Sequence, residues 1–244
     1  MLRLLREALR LFFANIFLFA AVILTTAVPT SLFMRDIMAH AEGPRSWCSM
    51  TAAVLVGLAV VQISSGAVVH VTSALKRGLR PTYGAAMMTG LNNWGRLVLA
   101  NAVVGMFVAV GLVVIVPGII FMVAYALIDP IVVHEQAGPV RAMQRSFELT
   151  KDSRWSIFGI VALGLVLSIG SRLFHHYVVE PSASLNTPWV HTAMRCPVML
   201  LYGILEVTLI LFYLEARARE AAEPTLDDVD GPEECPESTA ARDS

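Results

Sequence analysis

The chain has 244 residues, of which 56% are hydrophobic and only 15% charged, and its mean hydropathy is +0.66. A soluble domain carries nearer a quarter charged residues, so an ordinary water-soluble fold is excluded, as is a disordered chain of low hydrophobicity. The net charge of −1 says nothing about partners, because the charges are unevenly placed.

Five apolar blocks follow one another: Leu11–Met34, Met50–Leu75, Leu97–Ile128, Ser156–Phe174 and Pro197–Leu214. About 20 residues of helix cross the hydrocarbon of a bilayer, so four of the blocks fit one crossing each. Ahead of the first, Met1–Arg10 reads as an interfacial helix, with Leu2, Leu5 and Leu9 on one face and Arg3, Arg6 and Arg10 on another. The block after it is too long for the apolar core of a signal peptide. Ala39-His40-Ala41 resembles a cleavage site but lies beyond Arg35 and Asp36.

The third block is too long for one crossing. Its 32 uncharged residues would extend roughly 48 Å at about 1.5 Å per residue. Pro117-Gly118 lies near its middle. Proline ends a helix and glycine permits a reversal, so a tight turn there is expected to divide the block into spans at 97–116 and 119–133. The alternative is one long kinked helix and five spans.

Positive charges favour six. In that layout one side receives Arg3, Arg6 and Arg10; Lys76, Arg77, Arg80 and Arg96; Arg141, Arg145, Lys151 and Arg154; and Arg217, Arg219 and Arg242. The other side receives only Arg35, Arg45, Arg172 and Arg195. A split of 14 to 4 among the 18 basic residues is the positive-inside pattern, and it puts both termini in the cytoplasm. Five spans would remove most of that bias. Trp47, Trp94, Trp155 and Trp189 fall at or near span ends, as interfacial aromatics do.

Between spans four and five, Asp129-Pro130 and His134-Glu135 mark the inner end of the fourth span. Gly138-Pro139 then starts a short helix, proline being pre-set for the first helical position. Val140, Met143 and Phe147 share one face of it, and Arg141, Gln144, Arg145 and Glu148 the other. This pattern suits a helix in the interface plane, with Glu135 able to pair with Arg141 or Arg145. From Glu220 the composition changes: residues 220–244 hold nine of the 19 acids and three prolines. That stretch is expected to be a disordered acidic cytoplasmic tail, either solubilising or docking on a basic partner. The fold class expected is therefore an all-α integral membrane bundle of six helices, with an amphipathic helix before it and another inside it.

Glu206 stands near the middle of the last span. An acid at that depth is a functional-site hypothesis by default. No Lys or Arg lies at matching depth, so the candidates to bond it are Gln62 in the second span, Tyr125 in the fourth and Ser168 in the fifth. Ser64 and Ser65 can bond back to their own helix, and Asn101 can reach the headgroups. No Gly-x-x-x-Gly spacing occurs in the chain, so no strong close-packing motif is expected.

Pro117-Gly118, the run Asp129-Pro130-Ile131-Val132-Val133-His134-Glu135, and Gly138-Pro139-Val140-Arg141 through Gln144-Arg145-Ser146 to Lys151 resemble the signature of a group of bacterial multi-span proteins. That group is classed with the membrane domain of glycerophosphoryl diester phosphodiesterase. Tyr213-Leu214-Glu215-Ala216-Arg217 is similar to its Tyr-x-Glu-x-Arg ending. The resemblance implies fold and membrane location. It implies no catalysis, because most members have no assigned activity and the separate phosphodiesterase domain that some carry has no room in this chain.

No P-loop, Gly-x-Gly-x-x-Gly, Gly-x-Ser-x-Gly or His-Glu-x-x-His is present, so an enzyme is not expected and no cofactor is implied. The basic residues follow the membrane face rather than a groove-fitting stripe, which excludes nucleic acid as a partner. Cys48 and Cys196 both fall at outer span ends, where a disulfide would persist if the two approach within about 7 Å. The partners implied are the lipid bilayer and other membrane proteins. The expected role is a non-catalytic structural, scaffolding or regulatory component; the alternative is a small permease-like component that uses Glu206.

Overall fold

The computed structural model describes residues 2–39, 46–114, 116–174, 176–177 and 188–222. Among the described residues there is no β-strand. Six stretches are long and apolar enough to cross a membrane: Ile16–Phe33, Thr51–Lys76, Tyr83–Leu112, Val116–Glu135, Arg154–Phe174 and Ala193–Ala222. The protein is an all-α membrane bundle of six spans.

Helix α1 (Leu2–Ala14) is amphipathic and lies against the last helix. Leu4, Ala8 and Phe12, spaced four apart, are buried, while Arg3, Arg6 and Arg10 stay exposed. The chain breaks at Asn15, whose side chain donates to the Leu11 carbonyl at 3.2 Å. The first span, α2 (Ile16–Ala39), therefore starts five residues later than the apolar block does. Phe12 and Phe19 stack across the break at 5.0 Å.

Helices α3 (Ser46–Lys76) and α4 (Tyr83–Leu112) form the largest helix–helix contact. The stretch 83–96, expected as loop, is the first part of α4. Thr82 caps it by accepting from the Ala85 N–H, which stabilises a helix start. The two helices cross backbone to backbone at Gly66 and Gly90. A Cβ on Gly90 would sit 2.2 Å from the Ile63 carbonyl oxygen. Close packing is thus present without the four-residue spacing, because the two glycines come from different helices.

The reversal into the fourth span also differs from expectation. Helix α4 stops at Leu112, Val113 and Val114 lie in a turn, and α5 (Val116–Ala124) already contains Pro117 and Gly118. Pro117 starts a helix instead of turning the chain, as its fixed φ and missing donor allow in a first turn. Gly118 is needed for contact: a Cβ on Gly111 would lie 2.9 Å from the Gly118 Cα.

The fourth span is itself broken. After α5 comes a turn, then α6 (Ile128–Glu135). Pro130 explains the break. It cannot donate to Ala126 and would clash with that carbonyl in a continuous helix, yet it fits the first turn of a new one. Asp129 is consequently inside the span and not at its inner end. Helix α7 (Pro139–Thr150) starts at Pro139 with Gly138 as its cap, as expected. A 3-10 turn leads into α8 (Arg154–Phe174), and α9 (Pro188–Ala222) completes the bundle. Helix α9 begins nine residues before Pro197 and takes in residues 220–222, so the start of the expected tail is helical; residues 223–244 lie outside the described residues.

Two buried clusters fill the bundle. One joins α1, α2, α3 and α9 around Phe12, Phe19 and Leu211. The other joins α4, α5, α6, α7 and α8 around Leu97, Ile131 and Tyr213 of α9. Tyr213 is fully buried, and its neighbours Phe212 and Leu214 pack against both clusters.

Candidate functional site

Two carboxyl groups from different spans share one hydroxyl inside the bundle. Ser65 Oγ of α3 lies 2.5 Å from Glu206 Oε1 of α9 and 2.9 Å from Asp129 Oδ2 of α6. Asn101 Nδ2 of α4 donates to Asp129 Oδ1 at 2.7 Å and lies 3.0 Å from Gln62 Oε1 of α3. Four spans therefore meet in one polar network. The Ser65 side chain is buried, while Gln62, Asn101, Asp129 and Glu206 each keep partial exposure.

The hydrogen count constrains this network. A serine hydroxyl has one proton and two acceptor lone pairs. It can donate to one carboxyl only. The contact to the second acid is a hydrogen bond only if that acid brings a proton of its own. The order acid O–H to Ser65 oxygen, then Ser65 O–H to the other carboxylate, satisfies both contacts of Ser65. The network so drawn holds one ionisable proton and one negative charge, with the Asn101 amide supporting the carboxylate.

Local sequence places each group. The break at Pro130 puts Asp129 in the first turn of α6, where the positive end of a helix dipole favours an acid. Glu206 follows the periodicity of α9, between buried Leu205 and Val207. Ser65 precedes Gly66, so the same tight α3–α4 crossing that brings Gly90 in also holds Ser65 and Asn101 near Asp129.

One to two turns toward the end of the bundle that carries the basic clusters, a second polar layer repeats the pattern. Ser73 Oγ lies 2.7 Å from His134 Nε2. The His134 ring stacks on Tyr213 at 5.7 Å, and the Tyr213 hydroxyl donates to Glu135 at 3.0 Å. Beside Ser73 at this second layer stands Thr72, fully buried, whose hydroxyl has no hydrogen-bond partner among the described residues. Ser65, Thr72 and Ser73 are spaced seven and eight residues apart on α3, and Glu206 and Tyr213 seven apart on α9. Ser65 and Thr72 therefore share one helical face, as do Glu206 and Tyr213, whereas Ser73 points about 100° from Thr72.

The outermost layer is ionic. Arg145 of α7 pairs with Glu220 near the end of α9, with Glu135 at 3.7 Å and with Glu148 at 3.8 Å. Partial burial alone would lower the Arg145 pKa. The hydrogen bond and charge of Glu220, with Glu135 and Glu148 nearby, outweigh that and hold it above its ordinary value. Arg141 lines the same shallow cavity of about 390 Å³ but is not the partner of Glu135.

Several expectations need correction. Glu206 is bonded by Ser65, and not by Tyr125 or Ser168; Ser168 lines a different cavity, between α8 and α9. Gln62 reaches the acids only through Asn101. Ser64 bonds back to its own helix, to Val61 O at 2.7 Å, but Ser65 does not. The reading of α7 as an interfacial helix is not among these: Val140 and Phe147 are exposed, and the face packed on the bundle is Ala142, Ser146 and Thr150. The small face wins because Ser146 Oγ donates to the Ala124 carbonyl at 2.7 Å and Thr150 Oγ1 lies 3.5 Å from the same oxygen. The break in span four frees that carbonyl. The Cys48 side chain lies outside the described residues, and with it the expected pairing to Cys196.

Asp129, Ser65 and Asn101 were the functional residues least visible in the sequence. The usable signal was Asp129 itself, an acid in an apolar run that remains long enough to span only if it continues to Glu135. Comparison with family models, with curated proteins and with solved structures finds no match.

Proposed function

We propose that this chain is a non-catalytic component of a bacterial inner membrane, with both termini cytoplasmic, and that it carries an intramembrane proton-binding site formed by Ser65, Asp129 and Glu206. The orientation rests on the positive-inside charge split. The observation that carries the site is the single serine hydroxyl within hydrogen-bond distance of two carboxyls. A structural role alone would need only one acid, or none. Toward the basic end lies a second polar layer of Ser73, His134, Tyr213 and Glu135, and the buried Thr72 hydroxyl beside it has no hydrogen-bond partner among the described residues, so the two layers are not joined by a continuous hydrogen-bonded chain. The role that fits is regulatory: protonation changes which of the four helices the network holds together. The resemblance of the 129–151 segment to multi-span proteins of unassigned activity is compatible with this role.

A second reading, a small permease-like component, is favoured by the partial exposure of Gln62, Asn101, Asp129 and Glu206, since a transported species needs access that a sealed network would deny. One set of measurements separates the readings. Infrared spectra of the purified protein in lipid at neutral pH are expected to show a protonated carboxyl that Glu206→Gln or Asp129→Asn removes. If neither acid is protonated, the proton site is wrong. Unchanged growth and transport in Glu206→Gln cells would eliminate the permease reading while leaving the regulatory one to the infrared result.

A further inference from the structure

A cavity of about 920 Å³ opens between α8 and α9, at the end of the bundle away from the basic clusters and separate from the acid network. Its floor is a bolt between the two helices, where the Tyr202 hydroxyl donates to the Gly164 carbonyl at 2.8 Å. Beyond it the helices part. Helix α8 is the least embedded span, with 11% of its stretch buried against 44% for α9. The walls are apolar, with Val166 and Gly170 on one side and Val198 on the other. Eight residues beyond Gly164 on α8, and seven before Tyr202 on α9, stand Arg172 and Arg195, both exposed and both on the cavity lining. At about 1.5 Å per residue the two arginines stand at one level, roughly 11 Å above the floor.

Among the described residues no Asp or Glu lines the cavity, and neither guanidinium takes part in an ion pair or hydrogen bond. These are two of only four basic residues outside the basic clusters, yet they converge on one opening. An apolar cleft with a forked cationic rim suits an amphiphile with an anionic head, because guanidinium groups bind phosphate oxygens in pairs. Basic pockets between spanning helices hold anionic lipid headgroups in this way.

We propose that the α8–α9 cleft is a binding site for one anionic phospholipid of the surrounding leaflet. Its phosphate sits between Arg172 and Arg195, and an acyl chain runs down past Gly170 and Val198 to Tyr202. The site is independent of the acid network and stands or falls without it.

The test uses the full-length protein in nanodiscs of phosphatidylcholine with a minor fraction of phosphatidylglycerol, with retained lipid counted by native mass spectrometry. Wild type is expected to keep one phosphatidylglycerol in preference to phosphatidylcholine. Arg172→Gln/Arg195→Gln is expected to lose about tenfold or more of that preference, as removal of two cations facing one anionic head predicts. A second variant acts on the apolar part alone. A Cβ on Gly170 would meet nothing within 4 Å, so Gly170→Leu puts a side chain into the path of the acyl chain and should lower lipid retention while both charges remain. Melting in pure phosphatidylcholine checks that each variant is folded. Wild-type retention in either folded variant overturns the proposal, as does equal retention of the two lipids by wild type. Equal stabilisation by inorganic phosphate without phosphatidylglycerol would assign the site to a free anion and overturn the lipid.

Discussion

Replacing Ser65 by alanine removes one oxygen and leaves two carboxyl groups without their shared partner. Interhelical hydrogen bonds inside membranes are worth about 0.6–1.7 kcal/mol each, and Ser65 makes two, at 2.5 and 2.9 Å, to two different helices. Ser65→Ala is therefore expected to cost about 1–3 kcal/mol, a factor of roughly 5–150 in the folded ratio. Ser64→Ala is the matched control. Its hydroxyl bonds to Val61 O of its own helix, so its loss is expected within about 0.5 kcal/mol. Unfolding by steric trapping in bicelles measures both. The stronger test is the cycle with Glu206→Gln. If the serine and the acid act as one network, the double variant departs from additivity by about 0.5 kcal/mol or more. Equal costs for Ser64→Ala and Ser65→Ala, together with additive behaviour in the cycle, would refute the shared-proton geometry.

Three further outcomes follow from the same structure. Gly90→Ala drives a Cβ into the Ile63 carbonyl, and overpacking of this kind costs about 1–3 kcal/mol or more; Gly84→Ala, with nothing within 4 Å of its Cβ, is expected to be neutral or slightly stabilising in the same unfolding assay. Arg145→Gln releases Glu135, Glu148 and Glu220 together, and because the group is partly solvated each pair is worth about 0.2–1 kcal/mol; the loss should shrink in high salt, and a Glu220→Arg/Arg145→Glu swap should recover part of it. A reporter fused after Ser244 is expected to be active only in the cytoplasm, and periplasmic activity would reverse every side assigned above.

The sequence carried the fold further than it carried the site. Hydropathy and charge suffice for six spans because the penalty for unpaired backbone in lipid leaves helices as the only option. They fail at helix ends. Residues 83–96 are polar enough to read as loop, yet Thr82 caps them and Gly90 lets them pack on α3. Pro117-Gly118 was legible as a boundary but not as a helix start, since proline serves both purposes. Glu206 was conspicuous by depth alone. Its partner Asp129 was hidden because Asp-Pro beside a basic loop looks like a span end, and only the restart of the helix at Ile128 puts that acid inside. Ser65 could not be told from Ser64: adjacent hydroxyls on one helix point about 100° apart, and which one faces another helix is a tertiary fact.

The break in span four links these features. A continuous helix would consume the Ala124 carbonyl and carry Asp129 elsewhere. Pro130 disfavours it, and the Ala124 carbonyl at the end of α5 is taken up by Ser146 and Thr150 of α7. The position of α7 is in turn fixed at its other face by Arg145, paired to Glu135 at the end of α6 and to Glu220 at the end of α9. Helix α7 thus grips both helices that contribute an acid. The Asp129–Ser65–Glu206 contacts bridge α6 and α9 inside the bundle, and α7 is bonded to both at the surface. If the proposed proton site operates, Arg145 is the residue at the surface that is paired to both acid-bearing helices, while Ser146 holds α7 to the end of α5.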